Sequence, residues 1–322
     1  MNKKILAVLM ALMMVLTSVA AFAEGDSTVD ATFDKIYTNV GDTADAPAAT
    51  FSFVVGKGTV QGASAGVVAP DASNINITDA VLTSGAGKAV VSVDVKLDAF
   101  TEVGSYSYPV TEVQGTLAGV SYDATFTVVV LVNYDADTDS IVKAVYVKNS
   151  AAQKDDEGVD VENKYYAGSL EFSKTVTGAY GDPNKYFTVT VTINGPEGKA
   201  LDDINMVANG GKYTNKPVDF GANTFEIKHD ETITISNLPK GATYTIAEAD
   251  YSSEGYDAPV YSAQSGNIAE IEKDSITITN NKADDQSIET GVFTDNMPYF
   301  MLLAFVMILA AAVVLKKRTV NE

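Results

Sequence analysis

The sequence predicts an all-β protein with two tandem β-sandwich domains. Short runs rich in Tyr, Phe, Val, Ile and Thr alternate apolar with polar residues, and stretches containing Gly, Asn, Asp and Pro separate them. No long 3.6-residue periodicity interrupts this pattern between the two ends of the chain. The length of 322 residues leaves room for two domains of ordinary size.

The predicted strands have the same character in both halves of the chain. In chain order, the clearest of them cover residues 49–55, 89–97, 105–112, 124–132, 141–147, 186–193, 223–229, 231–235, 242–248 and 275–280.

Each end of the chain carries an apolar segment. Residues 1–23 have two lysines, an apolar run and the small-residue sequence "AFA", which is the order of a secretory signal peptide, so we expect cleavage after Ala23. Residues 299–315 carry no charge and precede "KKR"; the run reaches the lower limit for a membrane-spanning helix, ~17 residues. The basic tail should remain in the cytoplasm. The chain is therefore predicted to be exported and then held at the membrane by its last helix.

An internal repeat divides the body into two halves. "VDATFDKIYTN" near residue 29 resembles "AGSLEFSKTVTG" near residue 167, and "ATFSFVV" and "KYFTVTV" follow them. "GSYSYPVTE" then resembles "GATYTIAE", and "VDVENKYY" resembles "ITITNNK". We predict an N-terminal domain at 24–166 and a C-terminal domain at 167–285, with almost no linker, and a separate segment at 286–322.

Both halves place three polar residues in line with the apolar residues of their strands, because side chains two apart share a face. The residues are Lys35, Glu112 and Asn163 in the first half, and Lys174, Glu248 and Asn280 in the second. In "ITNNK", Asn281 competes with Asn280, but alternation with the preceding isoleucines favours Asn280. We therefore expect one Lys, one Glu and one Asn in each core.

Burial would make these groups reactive. A fully buried lysine can fall to a pKa of ~5–6 and a buried glutamic acid can rise to ~8–9, so both would be neutral. We expect the acid to donate a hydrogen bond to the asparagine carbonyl and to move protons to the leaving amine. Attack by the lysine nitrogen would then expel ammonia and leave an amide between two side chains. The fold supplies the proximity that this reaction needs.

The composition argues against several other kinds of function. The net charge of −20 disfavours a nucleic-acid partner. There is no cysteine and a single histidine, His229, so a histidine-based triad or a zinc site is hard to assemble, and we predict no metal and no cofactor. An exported protein without disulfides either needs no covalent staple or has another chemistry to provide one.

The motifs that carry the polar triplets resemble those of a known family. "FDKIY" and "FSKTV" are similar to its lysine strand, "YPVTE" and "YTIAE" to its glutamate strand, and "VENKY" and "ITNNK" to its asparagine strand. The family comprises the major subunits of Gram-positive, sortase-assembled pili, built of immunoglobulin-like domains with self-formed Lys–Asn isopeptide bonds. The resemblance covers nearly the whole chain. It implies two tandem immunoglobulin-like domains with one autocatalysed bond each, assisted by Glu112 and Glu248.

The resemblance also implies a sorting signal within residues 286–322. Thr290-Gly291, the apolar span and the basic tail are present, although the Leu-Pro that usually opens the motif is missing. A sortase would take the Thr290 acyl group, and a lysine of the next subunit or the cell wall would release it. Lys154 and Lys148 are the candidate acceptor lysines, since related acceptors lie late in the first domain.

We therefore predict a structural shaft subunit of a covalent cell-surface pilus rather than an enzyme. Its partners would be a sortase, further copies of itself, minor pilins and peptidoglycan. The first alternative is a monomeric, wall-anchored adhesin with the same domains. The second is a secreted hydrolase using paired carboxylates, but no constellation of His, Ser or carboxylates outside the core supports it.

Overall fold

The computed structural model describes residues 20–22, 28–149, 159–269 and 271–283. These residues form an all-β structure with two hydrophobic cores, so the predicted fold class is confirmed. Three short 3₁₀ turns are the helical elements of the described ranges: Ala72–Asn74, Leu97–Ala99 and Ser252–Glu254.

A six-stranded sheet and a two-stranded ribbon contribute to the first core. The sheet contains β1 (Ala20–Phe22), β4 (Phe53–Val55), β5 (Thr59–Gln61), β9 (Gly104–Glu112), β10 (Thr125–Asp135) and β11 (Ser140–Asn149), and the ribbon contains β3 (Ala49–Phe51) and β7 (Ala80–Leu82).

A nine-stranded sheet extends through both cores. It contains β2 (Thr28–Val40), β6 (Ile75–Ile77), β8 (Gly87–Lys96), β12 (Asp160–Thr177), β14 (Met206–Gly210), β15 (Tyr213–Val218), β17 (Thr232–Pro239), β19 (Val260–Tyr261) and β21 (Lys273–Asn281). A four-stranded sheet covers the second core, with β13 (Phe187–Asn194), β16 (Gly221–Ile227), β18 (Thr243–Glu248) and β20 (Ser265–Asn267).

The alternation of the sequence explains how each strand contributes to its core. In β9, Tyr106, Tyr108 and Val110 are buried, while the residues between them are more exposed. Facing sheets then meet through aromatic side chains: the rings of Phe33 in β2 and Phe126 in β10 lie 4.7 Å apart between centroids. Each half is therefore a sandwich of two sheets with interdigitated apolar side chains.

Strand β12 is shared by both cores, which the sequence pattern did not predict. Its residues 160–166 pair in parallel with 34–40 of β2, and residues 169–177 pair in parallel with 273–281 of β21. Only Ala167 and Gly168 lie between these two pairings. The asparagine strand of the first half and the lysine strand of the second are thus one continuous strand.

Other predicted strands agree with the structure within a few residues, with one exception. The predicted strand 49–55 divides at Ser52 into β3 and β4, which pair with different strands. The hairpin of β14 and β15 was not predicted, and its exposed outer strand has a weak alternation.

The ends of the chain are only partly described. Residues 20–22, within the predicted signal peptide, form β1 and pair with β11. No helix in the described part of the chain is long and apolar enough to cross a membrane. The predicted span at 299–315 lies outside that part.

Candidate functional site

The lysine and asparagine strands of each half are parallel neighbours with the same register. Lys35 lies opposite Val161, and Asn163 is two residues further along β12. In the second half, Lys174 lies opposite Ile278, and Asn280 is two residues further along β21. Because residues two apart share a face, each lysine and its asparagine are diagonal neighbours on the core side of the sheet.

The glutamates come from the opposite sheets. Glu112 ends β9 and continues the buried row of that strand, and Glu248 ends β18 in the same way. Each carboxyl group therefore approaches a Lys–Asn pair across the sandwich. The side chains of both glutamates and both lysines are fully enclosed.

In the first half, the three polar groups contact one another. The Lys35 Nζ donates to Asn163 Oδ1 and lies 3.4 Å from Glu112 Oε1. The Asn163 Nδ2 donates to Glu112 Oε2 at 2.7 Å. The amine thus lies against the amide group, and the carboxyl group touches both.

The second half repeats this arrangement. The Lys174 Nζ donates to Asn280 Oδ1 and also to Glu248 Oε2, the latter at 2.5 Å. The Asn280 Nδ2 donates to Glu248 Oε1 at 2.5 Å. Asn281, the competing candidate, is half-buried and donates to the exposed Asp257 instead.

Burial shifts the pKa values of Lys35, Glu112 and Lys174 in the direction that favours their neutral forms. Burial lowers the pKa of Lys35, against the opposing charge and hydrogen bond of Glu112. Burial raises the pKa of Glu112, although the hydrogen bond from Asn163 and the charge of Lys35 act in the other direction. The pKa of Lys174 is likewise lowered by burial, against its contact with Glu248. A neutral lysine amine is a nucleophile, whereas a charged one is not.

An aromatic ring covers each lysine, and neither ring was predicted from the sequence. Lys35 Nζ lies 4.5 Å from the ring centroid of Phe51, and Lys174 Nζ lies 4.2 Å from that of Phe187. The rings help to separate the amines from water. The signal was present, because the internal repeat aligns "ATF" ending at Phe51 with "KYF" ending at Phe187.

The amide orientation differs from the sequence-based expectation. We expected the glutamic acid to donate to the asparagine carbonyl, but Glu112 faces Asn163 Nδ2, the nitrogen that would leave. The main-chain carbonyl of Ser121 also accepts from this nitrogen, at 2.5 Å, and a carbonyl oxygen can only accept. Oδ1 is therefore turned towards Lys35. The carboxyl group is in position to give a proton to the leaving nitrogen.

Two further residues named from the sequence, Lys148 and His229, lie outside these sites. Lys148 is exposed near the end of β11. Lys154, Thr290 and Gly291 lie outside the described residues. His229 accepts a hydrogen bond from the main-chain nitrogen of Val176 through Nδ1, at 3.0 Å, and has a structural role at the edge of the second sandwich.

Comparisons with known proteins agree with this architecture. Residues 31–166 match the Spy0128-like isopeptide containing domain, FctA, and residues 168–282 match a domain of unknown function, DUF7601. The crystal structure of the major pilin from Streptococcus pyogenes is similar in fold, with a TM-score of 0.55 and 24% identity, over 79% of this chain and 99% of that one. The major pilin T3.2 from the same organism gives a TM-score of 0.52 and 22% identity, over 83% and 100%.

Two curated relatives from the same organism are similar in sequence. A pilus tip adhesin, Cpa, from Streptococcus pyogenes is 33% identical over 131 residues, which are 39% of this chain and 18% of the adhesin. A pilin from Streptococcus pyogenes serotype M1 is 30% identical over 238 residues, which are 68% of this chain and 69% of that pilin. With this coverage and the isopeptide-domain match, the chain belongs to the pilin family, the structural subunits of pili.

Proposed function

We propose that this pilin is the shaft subunit of a covalent pilus and that each half forms its own Lys–Asn isopeptide bond. The main support is that each of the two cores contains a buried Lys–Glu–Asn triplet, with the lysine and the asparagine as diagonal neighbours in the same register. One such triplet could be an ordinary buried polar cluster. Two, each with an aromatic ring over the amine, favour a shared chemical role.

The reaction is a transamidation within one chain. The neutral Lys35 Nζ attacks the Asn163 carbonyl carbon, forming the Nζ–C bond. The proton that Nζ loses passes through the Glu112 carboxyl group to Asn163 Nδ2, the C–Nδ2 bond breaks, and ammonia leaves. No oxidant or cofactor is consumed. Lys174, Glu248 and Asn280 would react in the same way.

Proximity and burial both favour this reaction. A well-oriented intramolecular attack can gain about 7–11 kcal/mol over the reaction between separate molecules. The enclosed site also lowers the pKa of the Lys35 amine, which favours its neutral form, and it withholds the water that would compete as a nucleophile. The family match to an isopeptide containing domain over residues 31–166 supports the first bond.

The covalent linkage between subunits would use the sorting signal that the sequence predicts within residues 286–322. A sortase would cleave between Thr290 and Gly291 of a membrane-held precursor and transfer the Thr290 acyl group to a lysine of the next subunit. Lys148 is the described candidate, exposed on β11, and Lys154 follows it in the chain. Transfer to peptidoglycan would anchor the finished pilus to the cell wall.

Intact-mass analysis of the secreted body tests the internal bonds. We expect a mass lower than the sequence value by two ammonias, and peptide mapping should find Lys35 joined to Asn163 and Lys174 to Asn280. Glu112→Ala and Glu248→Ala should each restore one ammonia. Glu102→Ala, an exposed glutamate of the same half, is the matched control and should change nothing beyond the substitution itself. A wild-type mass equal to the sequence value would reject both bonds.

A wall-anchored adhesin is a second candidate, because the chain also matches part of a pilus tip adhesin. Surface extracts boiled in detergent separate the two functions. A ladder of covalent multimers that is lost in the Thr290→Ala variant supports the shaft subunit. A single band supports the adhesin. Lys148→Arg and Lys154→Arg, compared with Lys199→Arg at an exposed loop, should then identify the acceptor.

A further inference from the structure

Within the described part of the chain, the first site has a contact that the second site lacks. Asn163 Nδ2 donates both to Glu112 and to the main-chain carbonyl of Ser121. Among the described residues, Asn280 Nδ2 donates to Glu248, and no main-chain carbonyl takes the equivalent second position. The carbonyl of Ser121 comes from a segment between β9 and β10, which we call the bridging loop (residues 116–122).

The bridging loop is attached to β12 directly around Asn163. Ser121 N donates to Lys164 O at 2.9 Å, and Lys164 N donates back to Ser121 Oγ at 3.0 Å. Further along, Tyr166 N donates to Gly119 O at 2.8 Å. The side chain of Ser121 therefore fixes the loop to the residue next to Asn163, and this places the Ser121 carbonyl at the amide.

The backbone at Gly119 fits closely against the same strand. Gly119 has a φ of +77°, and a Cβ atom there would lie 2.8 Å from both the Tyr165 ring and the Tyr166 carbonyl oxygen. Only glycine adopts this conformation at so close an approach without displacing the neighbours. The loop therefore has one well-defined position on β12.

The other end of the bridging loop is held by the second half of the molecule. Ala118 N donates to Ala200 O at 2.9 Å, and Ala200 N donates to Thr116 O at 2.8 Å. Ala200 follows β13, so this contact joins the two halves through a short parallel bridge. Ala118 itself is fully buried.

We propose that Ser121 is a positioning residue for the first isopeptide bond, and that the second half supports this role by holding the bridging loop at Ala200. The inference rests on the proposed bond between Lys35 and Asn163. The Ser121 carbonyl accepts a second hydrogen bond from Nδ2 and so helps to hold the amide with Oδ1 facing the lysine and Nδ2 facing the acid. It also accepts a hydrogen bond from Nδ2 as that nitrogen gains a proton and positive charge before it leaves.

The consequence is an order of events within one chain. The contacts of the Asn280 amide with described residues come from Lys174 and Glu248, both in the second half. The first site has its complete set of contacts once the second half has folded and docked at Ala200. Bond formation in the first half should therefore lag behind bond formation in the second half during folding of the new chain.

Kinetics in the full chain test the positioning role. Protein made in a short cell-free synthesis is sampled over time, and peptide mapping follows each bond separately, so the second bond is an internal control. Ser121→Ala, which removes the Oγ contact to Lys164 N, should slow the first bond by about 10- to 100-fold and leave the second unchanged. Ser121→Thr keeps a hydroxyl and should restore the rate, and Ser64→Ala, at an exposed loop, should have no effect.

A stability measurement separates positioning from general weakening. In a Glu112→Ala background, where the first bond does not form, adding Ser121→Ala should change the melting temperature little. Wild-type rates for both bonds in Ser121→Ala, or equal slowing of both bonds, would overturn the positioning role. A wild-type chain that loses no ammonia at all would instead reject the proposed function itself.

The link to the second half has its own variant. Ala200→Pro removes the N–H that donates to Thr116 O and should slow the first bond, while formation of the second bond reports that the second half has folded. Ala200→Ser keeps the N–H and should behave as wild type. A first bond that forms at the wild-type rate in Ala200→Pro would overturn the dependence on the second half.

Discussion

The Glu112→Ala substitution should turn an inextensible first half into one that unravels under tension. The proposed Lys35–Asn163 bond should not form without this carboxyl group, so the noncovalent sandwich would carry the load alone. A domain with about 5–15 kcal/mol of stability unfolds when pulled, whereas an amide bond does not break under such loads.

The structure sets the size of the effect. With both bonds present, tension enters through β2, crosses to β12 at Asn163, follows β12 to Lys174 and crosses to β21. The chain between Lys35 and Asn163, which are 128 residues apart, is then outside the path of the force. Releasing it should add about 450 Å of contour length, at ~3.5 Å per residue.

Loss of the second bond should give a different increase in contour length. Lys174 and Asn280 are 106 residues apart, so Glu248→Ala should add about 370 Å instead, by the same chain dimensions. The two variants can therefore be distinguished in one experiment. The double variant should show both steps.

Single-molecule force spectroscopy with handles before β2 and after β21 measures these steps. The wild-type body and the Glu102→Ala control should reach detachment without an unfolding step from either sandwich. A wild-type step of about 450 Å would show that the first loop is not closed. An inextensible Glu112→Ala variant would show that this glutamate is not needed for the bond.

Three further outcomes are expected. Asn163→Ala should lower the stability of the first half by about 5 kcal/mol, because the missing cross-link no longer reduces the entropy of the unfolded chain. Calorimetry should show this as a fall of about 20 °C in the melting temperature of the first half, and an unchanged transition would contradict the prediction. The rate of first-bond formation should show a bell-shaped dependence on pH. Protonation of Lys35 removes the nucleophile at low pH, and ionisation of Glu112 removes the proton donor at high pH. A rate that does not change with pH in timed mass analysis would refute this prediction. Asn237→Gly allows the left-handed backbone conformation but removes the hydrogen bonds to the Asp45 main chain that join the two halves. Chemical unfolding should show a loss of stability of about 2 kcal/mol, while both internal bonds still form.

In the unreacted state, the two titrations act on stability with opposite signs. Lys35 has a lowered pKa in the folded protein, so the unfolded chain binds more protons and stability increases as pH rises through that window. Glu112 has a raised pKa, so the folded chain binds more protons and stability decreases as pH rises. Formation of the amide removes the lysine titration altogether.

Much of the candidate site could be predicted because it depends on local alternation. Strand side chains alternate between two faces, so a polar residue in line with Tyr106, Tyr108 and Val110 must point inward whichever strands become neighbours. The internal repeat then paired Lys35 with Lys174. These conclusions need only the period of a strand and the order of residues along the chain.

The tertiary structure alone decided how those inward groups meet. The diagonal register between Lys35 and Asn163, the continuity of β12 through both cores, and the ring of Phe51 over the amine all depend on which distant strands become neighbours. The Asn163 amide also donates to a loop carbonyl, Ser121 O, whose position no periodicity describes. Alternation along the sequence specifies which face of a strand each side chain lies on. Strand register, the path of each loop and the partner across the sandwich depend on long-range packing. That packing brings an amine, an acid and an amide into contact.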